Sequence, residues 1–194
     1  MALKLITAPA AEPVSASEAK SHMRVDTTAD DTYIGTLITV ARQNVENHLR
    51  RALINQTWEL VLDEFPAGVF RLPKPPLVSV TSIKYTDEDA VEATFSSANY
   101  LVDTDTEPGR VVLKNGVSWP AVTLKEAGAV RVRYVAGYGA AGSNVPQAIR
   151  QAILLVIGSL YENREDVLVA QGVTVTTLPF GVEALLASYR VYGW

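Results

Sequence analysis

The sequence predicts an α+β protein in which helical segments flank a run of short antiparallel strands. Three observations carry that prediction. Ile34, Leu37, Ile38, Ala41, Val45 and Leu49 recur at the spacing of one helical face. From about Gln56 to Tyr138 the period falls to two, in short β-branched runs separated by Gly, Pro, Asn and Asp turns. After Pro146 helical spacing returns, with Ile149, Ile153, Val156, Ile157 and Leu160 on one side.

The opening dozen residues, alanine-rich and broken by Pro9 and Pro13, read as an extended arm. Ser15 and Glu18 then have the spacing of a capping box, in which each side chain satisfies an otherwise unpaired backbone N–H. Thr28 to Asp31 marks the start of the longer helix. Near its end Glu46 stands four residues before Arg50, the favourable order for an ion pair. His48, Arg50 and Arg51 place positive charge where the helix dipole favours it.

Trp58, Leu60 and Leu62 open the strand region, followed by GVFRL, LVSVTSIKYT, AVEATFS, YLVDT, RVVLK and AVRVRYVAGY. Such close spacing predicts hairpins rather than strand–helix–strand units. Pro146 suits a first helical turn, because its missing N–H had no partner there. The run Ala152 to Ile157 is apolar without interruption, so more than one side of that helix must be covered. VLVAQGVTVTTLPFG reads as a loop or arm with a short alternating segment. A last helix carries Val182, Leu185, Leu186 and Tyr189 in register. The resulting division is residues 1–56 (arm and helices), 57–138 (β domain), 139–177 (long helix and arm) and 178–194 (C-terminal segment).

Composition removes several function classes. With 48% apolar residues the chain buries a core, and 17 basic against 21 acidic residues leave a net charge of -4. Proteins that grip nucleic acid through phosphates show the opposite balance and a basic stripe. The absence of cysteine excludes disulfides, thiol catalysis and thiolate metal sites, and two histidines exclude a three-histidine site. The start of the chain lacks a signal-peptide pattern. The apolar run Ala152 to Ile157 falls far short of the roughly 20 residues of a membrane span. A soluble product made in the cytosol is expected.

Gly137, Gly139 and Gly142 stand between a strand and a helix at the spacing of a dinucleotide-binding loop. Three requirements of that loop fail. Ser143, Asn144 and Val145 separate the glycines from the helix, whose amides should face the pyrophosphate. The strand alternates, placing Arg131 and Arg133 on one face where a buried parallel strand is needed. A second parallel strand ending near an acidic residue should follow the helix, yet Glu162, at about the right distance, sits in LYENRED, which continues or ends the helix. The glycines are expected instead to form a flexible exit from the β region.

Asp103, Asp105, Glu107 and Gly109 resemble a calcium loop in composition only. Counted from Asp103 the glycine is seventh, and Lys114 stands where a bidentate glutamate belongs. An acidic hairpin in water is the expectation, as for Asp87, Glu88 and Asp89. His22 and His48 read as helix-end or surface residues, and the Asp63–Glu64 and Glu165–Asp166 pairs as surface charge. No nucleophile or acid–base set emerges, so catalytic, cofactor and metal sites are all expected to be absent. The aromatic-rich end is more informative. Tyr192 to Trp194, with Arg190, has the composition of interface anchors. Val182 to Tyr189 either folds back on its own core or joins that interface.

Several segments in order carry a resemblance: LITAPAAEPVSASEAKSHMRVD, ALINQTWEL, RLPKPPL, VRYVAGYG, LYENRE and LPFGVEALLASYRVY. Together they resemble the head–tail connector (adaptor, or head-completion) proteins of tailed DNA phages and gene-transfer particles, in the branch with a β insertion. The resemblance implies a helical connector core of long antiparallel helices, an inserted antiparallel β domain and an extended C-terminal segment. It implies no enzyme activity but a dodecameric ring beneath the portal protein, extending the DNA channel in the virion neck after assembly in the bacterial cytoplasm.

Implied partners are the portal, identical subunits, a stopper or tail-terminator protein, and passing double-stranded DNA without specific binding; no membrane is involved. By the same resemblance Leu178, Pro179, Phe180, Tyr189, Arg190, Tyr192 and Trp194 dock on the portal. The helix from Pro146 to Asn163 would pack on the 27–51 helix and line the ring interface, with Leu155, Tyr161 and Arg164 between subunits. Removing Leu178 to Trp194 should then leave a folded subunit. The alternatives are another neck or tail component, and a nucleotide-binding enzyme using the Gly137 loop.

Overall fold

The computed structural model describes residues 1–163 and 180–192. The chain is α+β with antiparallel sheets, and it divides into two compact units. One contains Met1–Ala10 and Ile54–Ala140; the other contains Ala11–Leu53 and Ala141–Trp194.

The β unit holds β1 (Ala2–Thr7), β2 (Gln56–Leu62), β3 (Phe70–Arg71), β4 (Leu77–Thr86), β5 (Glu92–Phe95), β6 (Tyr100–Asp103), β7 (Arg110–Leu113) and β8 (Val130–Ala136). A five-stranded sheet runs β1-β2-β8-β4-β5 and a three-stranded sheet runs β3-β7-β6. The alternation of β8 decides its place at the centre. Val130, Val132, Tyr134 and Ala136 are buried on one face, while Arg131 and Arg133 point to the other. Half-buried Trp119, outside any strand, gathers an aromatic cluster. Its ring stacks on Phe65 at 5.0 Å and tilts against Phe95 at 4.9 Å, and its indole N–H donates to the Pro66 carbonyl at 2.9 Å.

The opening residues are not an arm. Ala2–Thr7 forms β1, antiparallel to β2, with Leu3 opposite Leu60 and Lys4 opposite Glu59. An edge strand needs little burial, so its sequence shows no clear alternation. Its partner also arrives only after two helices.

The helical unit holds α1 (Ala16–Met23), α2 (Asp31–Leu49), α3 (Gln147–Glu162) and α4 (Phe180–Leu186), with a 3-10 turn over Ala187–Tyr189. The α1 capping box forms as expected. The Ser15 N–H donates to Glu18 Oε2 at 2.9 Å, and the Glu18 N–H donates to Ser15 Oγ at 3.2 Å. The Glu46–Arg50 pair does not form. Arg50 caps α2 in the left-handed region at φ 57, which takes it off the helical face that Glu46 occupies. Glu46 instead accepts from Arg42 Nη1 and from the Leu53 N–H, each at 2.9 Å. On α3 the apolar run is used within the unit: Ala152, Ile153, Val156 and Ile157 are buried against α1, α2 and α4. Leu154 and Leu155 remain half-buried.

Candidate functional site

The glycine loop is built by close backbone packing. A Cβ on Gly137, at φ 147, would lie 2.5 Å from the Ile54 carbonyl carbon and the Asn55 nitrogen. A Cβ on Gly142 would lie 2.8 Å from the Glu12 and Pro13 carbonyl oxygens. The Gly137 N–H donates to the Pro76 carbonyl and the Asn55 N–H to the Gly139 carbonyl, both at 2.9 Å. These glycines are therefore constrained contacts, not the flexible exit the composition suggests. In the chain, a 3-10 turn over Gly142–Asn144 and Val145 intervene between Gly139 and the start of α3.

The acidic hairpin satisfies itself. Asp103 accepts from the Asp105 N–H at 3.0 Å and from Arg110 Nε at 2.7 Å. The Arg110 hydrogen bond, aided by turn amides, holds the Asp103 carboxyl below its ordinary range. Asp87 accepts the Val91 N–H at 2.8 Å, and Asp63 accepts the Gly128 N–H at 2.8 Å. Among the described residues no group of three or more histidines, aspartates or glutamates is placed to hold a metal ion. No helix there is long and apolar enough to cross a membrane.

An open cleft of about 580 Å³ is lined by Glu12, Ser15, Glu18, Ser143 and Arg150 among others. Its charged groups already serve one another. Arg150 bonds Glu18 and donates to the Pro13 carbonyl at 2.9 Å, while Glu12 accepts from Arg42 at 2.7 Å. That arrangement ties segments together and leaves no activated nucleophile or base.

The C-terminal segment is part buried and part exposed. Val182 and Leu186 of α4 are fully buried, and α4 packs on α3. Beyond it the Arg51 guanidinium donates to the Tyr189 carbonyl, and the Val191 N–H donates to the Leu49 carbonyl at 3.1 Å. Val191 is buried, whereas Tyr192 is 71% exposed, with the Arg190 guanidinium 5.4 Å from its ring centroid. So the segment is moored to the helical unit up to Val191 and presents Arg190 and Tyr192 outward. Removing everything from Leu178 would strip Val182 and Leu186 from the core, so the expected folded truncation needs correcting.

Other candidates fall in different places. Leu155 is half-buried on α3. Tyr161 donates to Asp30 Oδ2 at 2.6 Å, and its ring lies 6.2 Å from that of Tyr33. Phe180 opens α4 in backbone terms, and its side chain lies outside the described part. Leu178, Pro179, Arg164 and Trp194 lie outside the described residues.

Sequence reasoning missed the charged face of the five-stranded sheet. Glu59, 4% exposed, pairs with Arg131 at 3.2 Å and with Arg133 at 2.7 Å. The two arginines at alternate positions were the visible signal; the carboxylate between them was not.

Comparison with known proteins gives one consistent direction. No curated protein matches the chain. A chain in the solved neck of an empty gene transfer agent (GTA) particle, computed with C6 symmetry, is similar at 27% identity and TM-score 0.82, covering 100% of this chain and 97% of that one. A chain of a native GTA virion is similar at 26% identity and TM-score 0.80, with the same coverage. A chain from the native GTA neck computed with C12 symmetry is similar at 27% identity and TM-score 0.76, again over 100% and 97%. The family model for Head completion protein matches residues 13–192, nearly the whole chain, and the chain belongs to the head completion protein family.

Proposed function

We propose that this chain is a structural adaptor of the neck of a tailed phage or gene transfer particle, without enzyme activity. Copies form a dodecameric ring beneath the portal, extend the channel through which DNA leaves and present a platform to the next neck or tail protein. The observation that carries this reading is the full-length similarity to chains of GTA necks, at 27% identity over 100% of this chain. Symmetric necks computed as C6 and C12 support a cyclic arrangement of copies. The β unit, apart from its N-terminal strand β1, is then an insertion between α2 and α3 of a helical connector core.

The C-terminal segment docks on the portal in this reading. Exposed Tyr192 and Arg190 meet the partner, Tyr189 is fixed through its carbonyl, and Leu178, Pro179, Phe180 and Trp194 complete the contact. Leu155, Tyr161 and Arg164 lie toward the neighbouring subunit, with half-buried Leu155 as the anchor. Net negative charge suits a conduit that lets DNA pass. Mixing the purified chain with portal rings and imaging the product tests the proposal. Co-assembled rings are expected; portal rings left bare under every condition would overturn it.

A further inference from the structure

The five-stranded sheet has two open edges, β1 and β5. Proteins normally blunt such edges with proline, inward charges or short strands, because unpaired backbone groups recruit other strands. β1 carries one charge, Lys4, and a register shift between Leu5 and Thr7, but its six residues contain no proline, and Met1, Leu5 and Ile6 are 78%, 47% and 43% exposed. β5 is shorter, and Val91 just before it is 59% exposed.

The two edges are complementary in charge. β1 brings Lys4, which makes no ion pair among the described residues, and the terminal ammonium of Met1, 3.9 Å from Asp63. β5 brings Glu92, and the turn before it brings exposed Glu88 and Asp89. Lys4 sits opposite Glu59 and Glu92 opposite Thr86, on the face that also carries Arg131, Arg133 and Lys84. Joining β1 of one copy to β5 of the next sets Lys4 beside Glu92 on that face, in series with Lys84–Glu92 and Glu59–Arg133. It also covers Leu5 and Val91.

We propose that the β1 edge of one copy pairs with the β5 edge of the next, so that successive sheets join head to tail. This rests on the ring reading above. Two different edges make a heterologous contact, the kind that closes into a cyclic ring rather than a twofold dimer. Backbone pairing supplies affinity, and the Lys4–Glu92 match selects the partner edge.

Particles assembled with the full chain provide the test. Carbodiimide treatment, which couples amines to nearby carboxylates, should give inter-subunit peptides joining Lys4 to Glu88, Asp89 or Glu92. Lys4→Glu and Glu92→Lys should each lower the yield of particles with complete necks by about tenfold, and the double exchange should restore most of it. Thermal melting of each purified variant checks that the subunit stays folded. Wild-type particles that lack the chain in their necks would sink the ring reading itself. Necks that contain it but give no such cross-link, or in which Lys4→Glu assembles normally, would overturn only the edge pairing.

Discussion

Arg42 and Glu46, one turn apart on α2, form a buried ion pair at 2.9 Å. The carboxylate also accepts the Leu53 N–H, so it fixes the chain where α2 ends and the β region is about to begin. The other side of Arg42 holds Glu12. One guanidinium thus ties three points of the helical unit.

Removing the Glu46 carboxylate takes one of the two carboxylates that Arg42 binds and leaves the buried Leu53 N–H without its acceptor. Glu46→Ala should therefore destabilise the protein by about 2 kcal/mol. Urea denaturation followed by circular dichroism measures this. A loss below about 0.5 kcal/mol, the range of a neutral surface change, would mean the network is ornamental.

Gly137 makes a second, sharper prediction. With 2.5 Å between a built Cβ and the Ile54–Asn55 backbone, Gly137→Ala should cost about 2 kcal/mol or more. Gly35 has open space around it, so Gly35→Ala serves as the control. Calorimetric titration with NAD or ATP should show no binding, since the loop serves backbone packing. Binding abolished by Gly139→Val would revive the nucleotide reading.

Glu18 should carry part of the acid sensitivity, beside Asp103 and Glu92. Its carboxyl is held below the ordinary 4.5 by hydrogen bonds from Ser15, backbone first, and by Arg150. A lowered folded-state value means that the stabilisation is complete above about pH 4.5 and is lost as pH falls through that lowered value. Glu18→Gln keeps the capping-box geometry but loses the charge. It should flatten the acid limb of the stability curve and leave stability nearly unchanged once pH lies below that lowered value. An unchanged acid limb would assign the effect elsewhere.

The C-terminus offers a way to separate folding from docking. Stopping the chain after Val191 removes exposed Tyr192 but spares Val182, Leu186 and Val191. Stability should change by less than about 0.5 kcal/mol, while pull-down by portal rings weakens about tenfold or more. Normal capture by the portal would remove the end of the chain from the docking role.

Much of the fold was legible because it rests on local pattern. The α2 face, the Ser15–Glu18 box and the alternation that centres β8 each need only neighbouring residues. What was not legible depends on distant partners. β1 looked like an arm because β2 is supplied from beyond α2, and Glu46 looked like a partner for Arg50 until the left-handed cap moved that residue away. The glycine spacing was readable, but its reason lay in backbone segments that only the fold brings within reach. At the C-terminus composition marked the segment, while burial separated Val182 and Leu186 from exposed Tyr192.

The most direct test of the central claim is cryo-electron microscopy of portal rings incubated with the purified chain. The account predicts a second ring of this chain seated on the portal, with density for the segment around Tyr192 against the portal surface. Portal rings without added density, or a chain that binds elsewhere on the particle, would contradict it.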